Sequence, residues 1–357
     1  MQLAADKDSP ADDHRTANRG VILSRLEYDT LAAWASESER MGFDSVWVGE
    51  ATLDPIVQAV VVTMATEHVR VGTNIALAFP RSPAVLAIEA WDCAALSGDR
   101  FAVGIGSQVK RIIEERYSAD FSQPAKRMAE YAQAMRAVWA MELGEPDAGF
   151  DGDIYRVVRP GLGGAGRGVG RTPPPLLIAA IGPLMTKVAT THADGILGHP
   201  FTSKRFIQER FLPTISEGLE GAGRDWSAFD AYQVLIVSID DDAEAARRDA
   251  KYQIGFYGTT PNYRHVFDAH GDGEVSDALR AAWKRSGGDP DALAEVVTDE
   301  HVERYAIAGT PDEVKDALRE FDGVVDHVLL GAPTYGVPTD RLDDRRRAII
   351  ECLGPGS

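Results

Sequence analysis

From Gly20 onward, short apolar runs alternate with longer stretches whose apolar residues recur at helical spacing. Gly20-Val-Ile-Leu-Ser24 has the length and composition of a buried strand. Leu31, Trp34, Ala35, Ser38 and Met41 then follow at three- and four-residue intervals, which predicts a helix. Gly42 stands where a left-handed residue ends such a helix. The same pair recurs as strand Ser45–Gly49 with helix Pro55–Thr66, Val69–Leu77 with Pro83–Leu96, and Phe101–Gly106 with Pro124–Met141. After an irregular stretch it resumes as Leu176–Ile181 with Leu184–Thr191 and Gly195–Gly198 with Arg205–Ala222. Tyr232–Ile239 with Ala243–Tyr257, and Val324–Leu330 with Arg341–Cys352, complete the series.

Strands that are apolar throughout are what a parallel sheet covered by helices on its faces requires. About eight strand-then-helix units in a row predict a single (β/α)8 TIM-type barrel with insertions. A doubly wound open sheet is the competing arrangement. It would need a phosphate-binding glycine turn after the first strand, and Ser24-Arg-Leu-Glu-Tyr28 offers none. The expected barrel spans residues 20–357, behind an N-terminal extension over 1–19 that reads as a solvated lead-in, with a strand at Gln2–Ala5 as the alternative. Two stretches, near 145–175 and 259–299, break the repeat. The first is rich in glycine and proline, with Phe150–Val158 as a hairpin or flap; the second is polar, with a helix around Val275–Ser286. Long insertions between barrel strands are commonly lids or oligomer contacts.

Charge narrows the classes of partner. The 357 residues hold 37 basic and 55 acidic side chains, a net charge of −18. Such a surface repels nucleic-acid phosphates and anionic membranes. No apolar stretch is long enough for a membrane span, and Met1–Arg19 lacks the basic start and apolar centre of a secretion signal. Two cysteines, Cys93 and Cys352, form no CxxC, so a reducing cytoplasm is the simplest compartment. Among the eight histidines, His192 and His199 are the nearest suggestive pair, seven residues apart across a strand; no metal site is expected. There is no GxSxG nucleophile elbow. Gly161, Gly163 and Gly166 satisfy GxGxxG, but no helix opens after them to receive a pyrophosphate, so they read as loop. Thr310-Pro-Asp-Glu313 is a helix capping box.

The candidate chemistry lies just after the strands, at the end of a barrel where active sites are built. The segments are Gly49-Glu50-Ala51-Thr52-Leu53-Asp54-Pro55, Gly72-Thr73-Asn74-Ile75-Ala76, Gly104-Ile105-Gly106-Ser107-Gln108, Ala179-Ala180-Ile181-Gly182-Pro183, and Asp194 through His199-Pro200. Small residues at adjacent strand ends leave room for a flat ligand, although glycines there also serve as plain turn residues. Gly182 lets backbone amides approach an anion, and the helix from Leu184 adds a positive dipole end.

Taken together, these residues resemble the bacterial luciferase-like superfamily of flavin and deazaflavin oxidoreductases. The resemblance is carried by Gly42-Phe-Asp-Ser-Val-Trp-Val-Gly-Glu50, Val71-Gly-Thr-Asn-Ile75, Ala78-Phe-Pro-Arg-Ser-Pro83, Asp99-Arg-Phe-Ala-Val-Gly-Ile-Gly-Ser107, Ile178-Ala-Ala-Ile-Gly-Pro183, Ala193-Asp-Gly195 and Ala308-Gly-Thr-Pro-Asp-Glu-Val314. The branch it most resembles is that of the coenzyme F420-dependent enzymes of actinobacteria. The resemblance implies a deazaflavin or FMN at the C-terminal mouth of the barrel, beside a small-molecule substrate. It implies a non-prolyl cis peptide at Asn74-Ile75, before Ala76, as a bulge backing the ring. It places Ser107 and Gln108 along the ring or ribityl region. Ala180, Ile181, Gly182 and Pro183 would shape the phosphate and ribityl site, with Met185 and Thr186 opening the next helix. His199 would sit near ring or substrate.

One departure from the family pattern concerns the proton donor. Many deazaflavin members carry an acid followed by histidine after the second strand, whereas here Glu50 is followed by Ala51. Glu50, with its pKa raised by burial, is the first candidate acid; the alternative is that it only hydrogen-bonds the ring or nearby backbone. His199 is the second candidate, with a structural role as its alternative. Lys110, Arg111, Lys126 and Arg127 could meet a phosphate or polyglutamate tail, or be ordinary solvated charges. Phe79, Phe201, Phe256, Tyr257 and Tyr263 are expected near the substrate or in the core. The implied function is hydride transfer between coenzyme F420 and a small organic substrate. The alternatives are an FMN-dependent two-component monooxygenase, which would need a flavin reductase partner, and a non-catalytic flavin-binding homologue. Family members are often homodimers.

Overall fold

The computed structural model describes residues 16–159, 161 and 171–356. The N-terminal extension up to residue 15, its alternative strand Gln2–Ala5, and Gly163 and Gly166 lie outside the described residues. The chain divides into two compact units, residues 20–199 with 353–356, and residues 200–352 with 16–19.

In the first unit, strands and helices alternate as the apolar pattern predicts. The elements are β1 (Asn18–Ile22), α1 (Tyr28–Arg40), β2 (Ser45–Val48), α2 (Pro55–Ala65), β3 (Arg70–Thr73), β4 (Ala76–Leu77), α3 (Pro83–Ser97) and β5 (Phe101–Gly106). Then come α4 (Lys110–Glu115), α5 (Pro124–Leu143), β6 (Phe150–Asp151), β7 (Arg156–Val157), β8 (Leu176–Ala180), α6 (Pro183–His192) and β9 (Gly195–Gly198). β6 and β7 pair antiparallel, the small hairpin expected near 150–158. The remaining strands lie parallel in the order β1-β2-β3-β5-β8-β9. Parallel register carries all their C-terminal ends to one edge: Val48 faces Thr73, Leu77 faces Gly106, and Ala180 faces Gly198.

Several of the helix boundaries follow from single residues. Gly42 has φ +86°, and its amide bonds back to Glu39, so it ends α1 as expected. Asp54 caps α2, its carboxylate accepting from Ile56 and Val57 N–H at 2.9 and 3.1 Å. Pro55, Pro83, Pro124 and Pro183 each open a helix, where no intrahelical donor is lost.

The second unit continues with α7 (Lys204–Phe206), α8 (Leu212–Gly221), β10 (Asp230–Ile239), α9 (Ala243–Gly258), α10 (Arg264–Asp268), α11 (Gly273–Ser286) and α12 (Pro290–Ala294). It closes with α13 (Asp299–Tyr305), β11 (Ile307–Gly309), α14 (Pro311–Arg319), β12 (His327–Gly331) and α15 (Thr339–Leu353). β10 pairs parallel with both β11 and β12. The capping box at Thr310 and Glu313 is present, both reciprocal bonds included. Among the described residues, β1, β2, β3, β5, β8, β9, β10 and β12 with their helices are those of a (β/α)8 barrel, the class that the alternation predicts.

Four local differences have physical causes. The expected strand Val69–Leu77 is broken into β3 and β4, because the chain leaves the sheet at a cis Asn74-Ile75 bond. The expected helix Arg205–Ala222 contains a π-turn over Ile207–Phe211 just before Pro213, which has no N–H to continue an α-helical ladder. In the polar stretch 259–299, α11 (Gly273–Ser286) is the expected helix, whereas α10 and α12 have five residues each, too few to show a period. β11 was hidden because Ile-Ala-Gly is too short to read as a strand.

The second unit contains two histidines whose surroundings disfavour the charged form. His301 Nδ1 accepts the Thr298 N–H at 3.1 Å, a bond that only an unprotonated nitrogen can accept. Burial pushes the His301 pKa down, and burial with Arg304 and Arg205 does the same to His270. With folded pKa values below the ordinary histidine value of about 6.5, the unfolded chain binds more protons as pH falls below that point. Their stabilising contribution is therefore complete above about pH 6.5 and declines under acid. Urea unfolding should show a lower midpoint at acid than at neutral pH. His301→Gln, whose side-chain oxygen can still accept from Thr298 N–H, should flatten that dependence.

Candidate active site

The sheet edge of the first unit begins with β2 and β3. Trp47 is fully buried and lies over Gly72, where any Cβ would run into its ring. Its indole N–H donates to Ser45 Oγ at 2.8 Å. β3 pairs with β5 only through Val71–Phe101 and Gly72–Ala102. Beyond that point the fully buried Thr73 side chain replaces the backbone ladder. Its hydroxyl donates to Gly104 O at 2.8 Å and accepts from Gly104 N–H at 2.9 Å. Gly104 has no side chain because a Cβ would meet Thr73 O and Leu197.

The chain then crosses Asn74 and Ile75, both half-buried, before the buried Ala76 re-enters the sheet against Ile105. The crossing is tied to the end of β2. Asn74 N–H donates to Val48 O at 2.7 Å, and Glu50 N–H donates to Ile75 O at 3.1 Å. Gly49 sits beneath it: a Cβ there would come within 2.7 Å of Asn74 O. Ile75 rests over Gly106, where a Cβ would meet its Cδ1. The expected cis bond at Asn74-Ile75 is thus present on a shelf made of glycines.

Glu50 stands beside that shelf with its side chain 5% exposed. One carboxylate oxygen, Oε2, accepts from Leu77 N–H at 2.9 Å and from Arg81 Nη1 at 2.6 Å. Arg81 also donates to Leu77 O at 3.3 Å and reaches Asp54 Oδ2 at 2.7 Å. Burial opposes the charge on Arg81, but Glu50 and Asp54 outweigh it and raise its pKa. The Tyr117 hydroxyl is pushed up by burial and by the Glu50 carboxylate. Below the same loop, the buried Gln58 amide donates to Gly49 O at 3.1 Å, Asp54 O at 3.2 Å and Leu53 O at 3.3 Å.

The other expected residues lie along the same edge. Ser107 is half-buried and donates to Gln108 O at 3.2 Å. Gln108 is exposed at φ +56°, its own side chain accepting from Val109 N–H at 3.0 Å. Ala180 ends β8, and Ile181 and Gly182 lead into α6. Gly182 is the N-cap of that helix, with no side-chain cap and open space where a Cβ would stand. The amides after Pro183 lack a side-chain acceptor, which is the arrangement an anion can use. Thr186 is buried and turned inward, its hydroxyl on Gly182 O at 3.1 Å, whereas Met185 is half-buried. His199, half-buried, follows β9.

Some expectations are redirected. Lys110, Arg111, Lys126 and Arg127 each pair with an acid: Glu114 at 3.7 Å, Glu115 at 2.8 Å, Asp153 and Asp120. They therefore form no unpaired basic patch. Phe201 is fully buried in the second unit among Tyr257, Tyr263, Phe267 and Tyr305, so it is core. Phe256 stacks on Tyr335 at 4.3 Å. Phe79 packs on Phe121 at 5.8 Å, with the Arg127 guanidinium 5.7 Å from its ring. The sequence reading missed Thr73 and Arg81. The one available signal was a lone arginine in an apolar stretch, Ala78-Phe-Pro-Arg81, with two acids, Glu50 and Asp54, after the preceding strand.

Comparison with known proteins follows the same outline. A family model described as luciferase-like monooxygenase matches residues 9–327. An uncharacterized protein of Mycobacterium tuberculosis is 37% identical over 87% of this chain and 91% of its own length. The 5,10-methylenetetrahydromethanopterin reductase of Archaeoglobus fulgidus is 30% identical over 86% of this chain and 91% of its own. The coenzyme F420-dependent tetrahydromethanopterin reductase of Methanopyrus kandleri superposes with a TM-score of 0.75 at 21% identity, covering 96% of this chain and 98% of that one. The last likeness shows the fold alone.

The Thr73 hydroxyl is testable by itself. Thr73→Val keeps the shape but strands the buried Gly104 N–H and carbonyl. Urea or thermal unfolding should show a loss of about 1–3 kcal/mol, as for an unsatisfied buried pair. Thr73→Ser, which keeps the hydroxyl, should lose less.

Proposed function

The chain belongs to the luciferase-like monooxygenase family, and from that premise we propose that it is an oxidoreductase moving a hydride between coenzyme F420 and a small organic substrate. The observation that carries this reading is one sheet edge holding both a flat shelf and an anion cradle. The shelf is Asn74-Ile75 over Gly106; the cradle is the open start of α6 at Gly182. A planar ring with a phosphate-bearing tail matches that pair of features. The choice of deazaflavin over flavin is supported by a relative in Mycobacterium tuberculosis described as a putative coenzyme F420-dependent oxidoreductase, 28% identical over 82% of this chain and 87% of its own length.

In this reading Asn74, Ile75 and Ala76 back the ring. Ser107 and Gln108 border it, and Ala180, Ile181, Gly182, Pro183, Met185 and Thr186 receive the ribityl and phosphate portions. The bound deazaflavin would supply a carbon that accepts or gives up a hydride. The chain's own share is to bind, orient and shield. Glu50 and His199 are the ionisable groups proposed at the site. Homodimerisation is part of the same proposal. α2 has no charged residue and exposes Val57 and Met64, while α3 exposes Val85, Ile88 and Leu96. On a chain of net charge −18, such a face suits a second copy. Among the described residues, no helix is long and apolar enough to cross a membrane.

FMN is the competing cofactor, favoured by the description of the family as monooxygenases. Fluorescence titration of the purified protein with F420, and separately with FMN, separates the two. F420 should bind at least about tenfold tighter, a difference of about 1.4 kcal/mol. Tighter FMN binding would move the activity to oxygen chemistry with a partner reductase. Binding of neither would overturn the cofactor assignment at Asn74, Ser107 and Gly182.

A further inference from the structure

Glu50 is bound on several sides. Its backbone N–H holds Ile75 O, and its Oε2 holds both Leu77 N–H and Arg81 Nη1. Arg81 in turn joins Leu77 O on its own segment and Asp54 at the start of α2. One guanidinium therefore links the 49–54 loop to the 74–81 segment through two carboxylates and a carbonyl. Glu50 and Arg81 side chains are 5% and 16% exposed, so water competes weakly for either. Both donors fall on Oε2, and a carboxylate paired with a guanidinium in this way serves as an acceptor for its neighbours.

Resting on the proposed oxidoreductase reading, we propose that Arg81 is a positioning residue that holds Glu50 as an acceptor for the 74–81 segment, so that the ring-backing shelf is held rigid and the reaction's proton comes from another group. Lysine cannot take the place of Arg81. A point charge reaches one carboxylate, while the planar fork spans two. Removing Arg81 alone leaves Glu50 as a buried unpaired charge, a more damaging change than removing both charges. The effects of Arg81 and Glu50 substitutions are thus coupled and not additive. Glu89, Tyr117 and Tyr131 also face the pair and are unchanged in the variants below.

The test is hydrogen exchange of the cofactor-free protein, read in peptides covering 49–54 and 74–81. Arg81→Met should speed exchange there by about tenfold or more, with the amides of β8 unchanged as a control for global opening. Arg81→Lys should fall between Arg81→Met and wild type. Glu50→Gln/Arg81→Met should exchange more slowly than Arg81→Met alone. Wild-type exchange in Arg81→Met would overturn the clamp. Because no cofactor is needed, this result stands whether or not F420 binds. The second readout is the pH profile of turnover. Glu50→Gln should lower the rate without moving the acidic limb. A limb that shifts or vanishes while exchange stays native would make Glu50 the donor and overturn the proposal.

Discussion

The candidate site depends on where strand β3 leaves the sheet. After Gly72 the backbone ladder to β5 stops, and the Thr73 hydroxyl carries the connection by itself. That one side chain lets Asn74 and Ile75 lift out of register while the buried groups of Gly104 stay satisfied. The glycines at 49, 104 and 106 are then steric necessities: each would place a Cβ against Asn74, Thr73 or Ile75. The exit also fixes what surrounds it. Val48 O and Glu50 N–H grip the crossing segment, and Glu50 and Arg81 secure its return. A shelf built in this way is supported on three sides before any ligand arrives, which is the preorganisation that a cofactor site needs.

Much of this was legible in the residues. Parallel strands buried on both faces leave an unbroken apolar run, so Ser45–Val48, Phe101–Gly106 and Leu176–Ala180 stand out in the sequence. The strand ends could be aligned because parallel register leaves little freedom. The family resemblance placed the cis bond at Asn74-Ile75, where the structure has it. The Glu50–Arg81 pair was not legible, because its members lie 31 residues apart and meet only through the turn after β4. In 259–299 the long helix α11 was legible, but the shorter ones were not, for another reason. Pieces of five to seven residues such as α10, α12 and α13 are held by tertiary packing and short caps, and show no period of their own.

Charge is arranged differently at long and short range. The net −18 describes the whole chain, yet Lys110, Arg111, Lys126 and Arg127 are each paired with a local acid. Attraction of an anionic ligand then rests on the helix start at Gly182 more than on loose lysines. Contacts between exposed cations and acids contribute little to stability. The buried Glu50–Arg81 pair is different, since each charge would be costly if left alone.

The most direct test of the cofactor site is a hydrogen-exchange difference map of the protein with and without saturating F420. Protection should concentrate in 74–76, 107–108 and 180–186, with the 200–352 unit changing less. Protection confined to the 200–352 unit, with the Asn74-Ile75 shelf and the start of α6 unchanged, would contradict the assignment of the cofactor site.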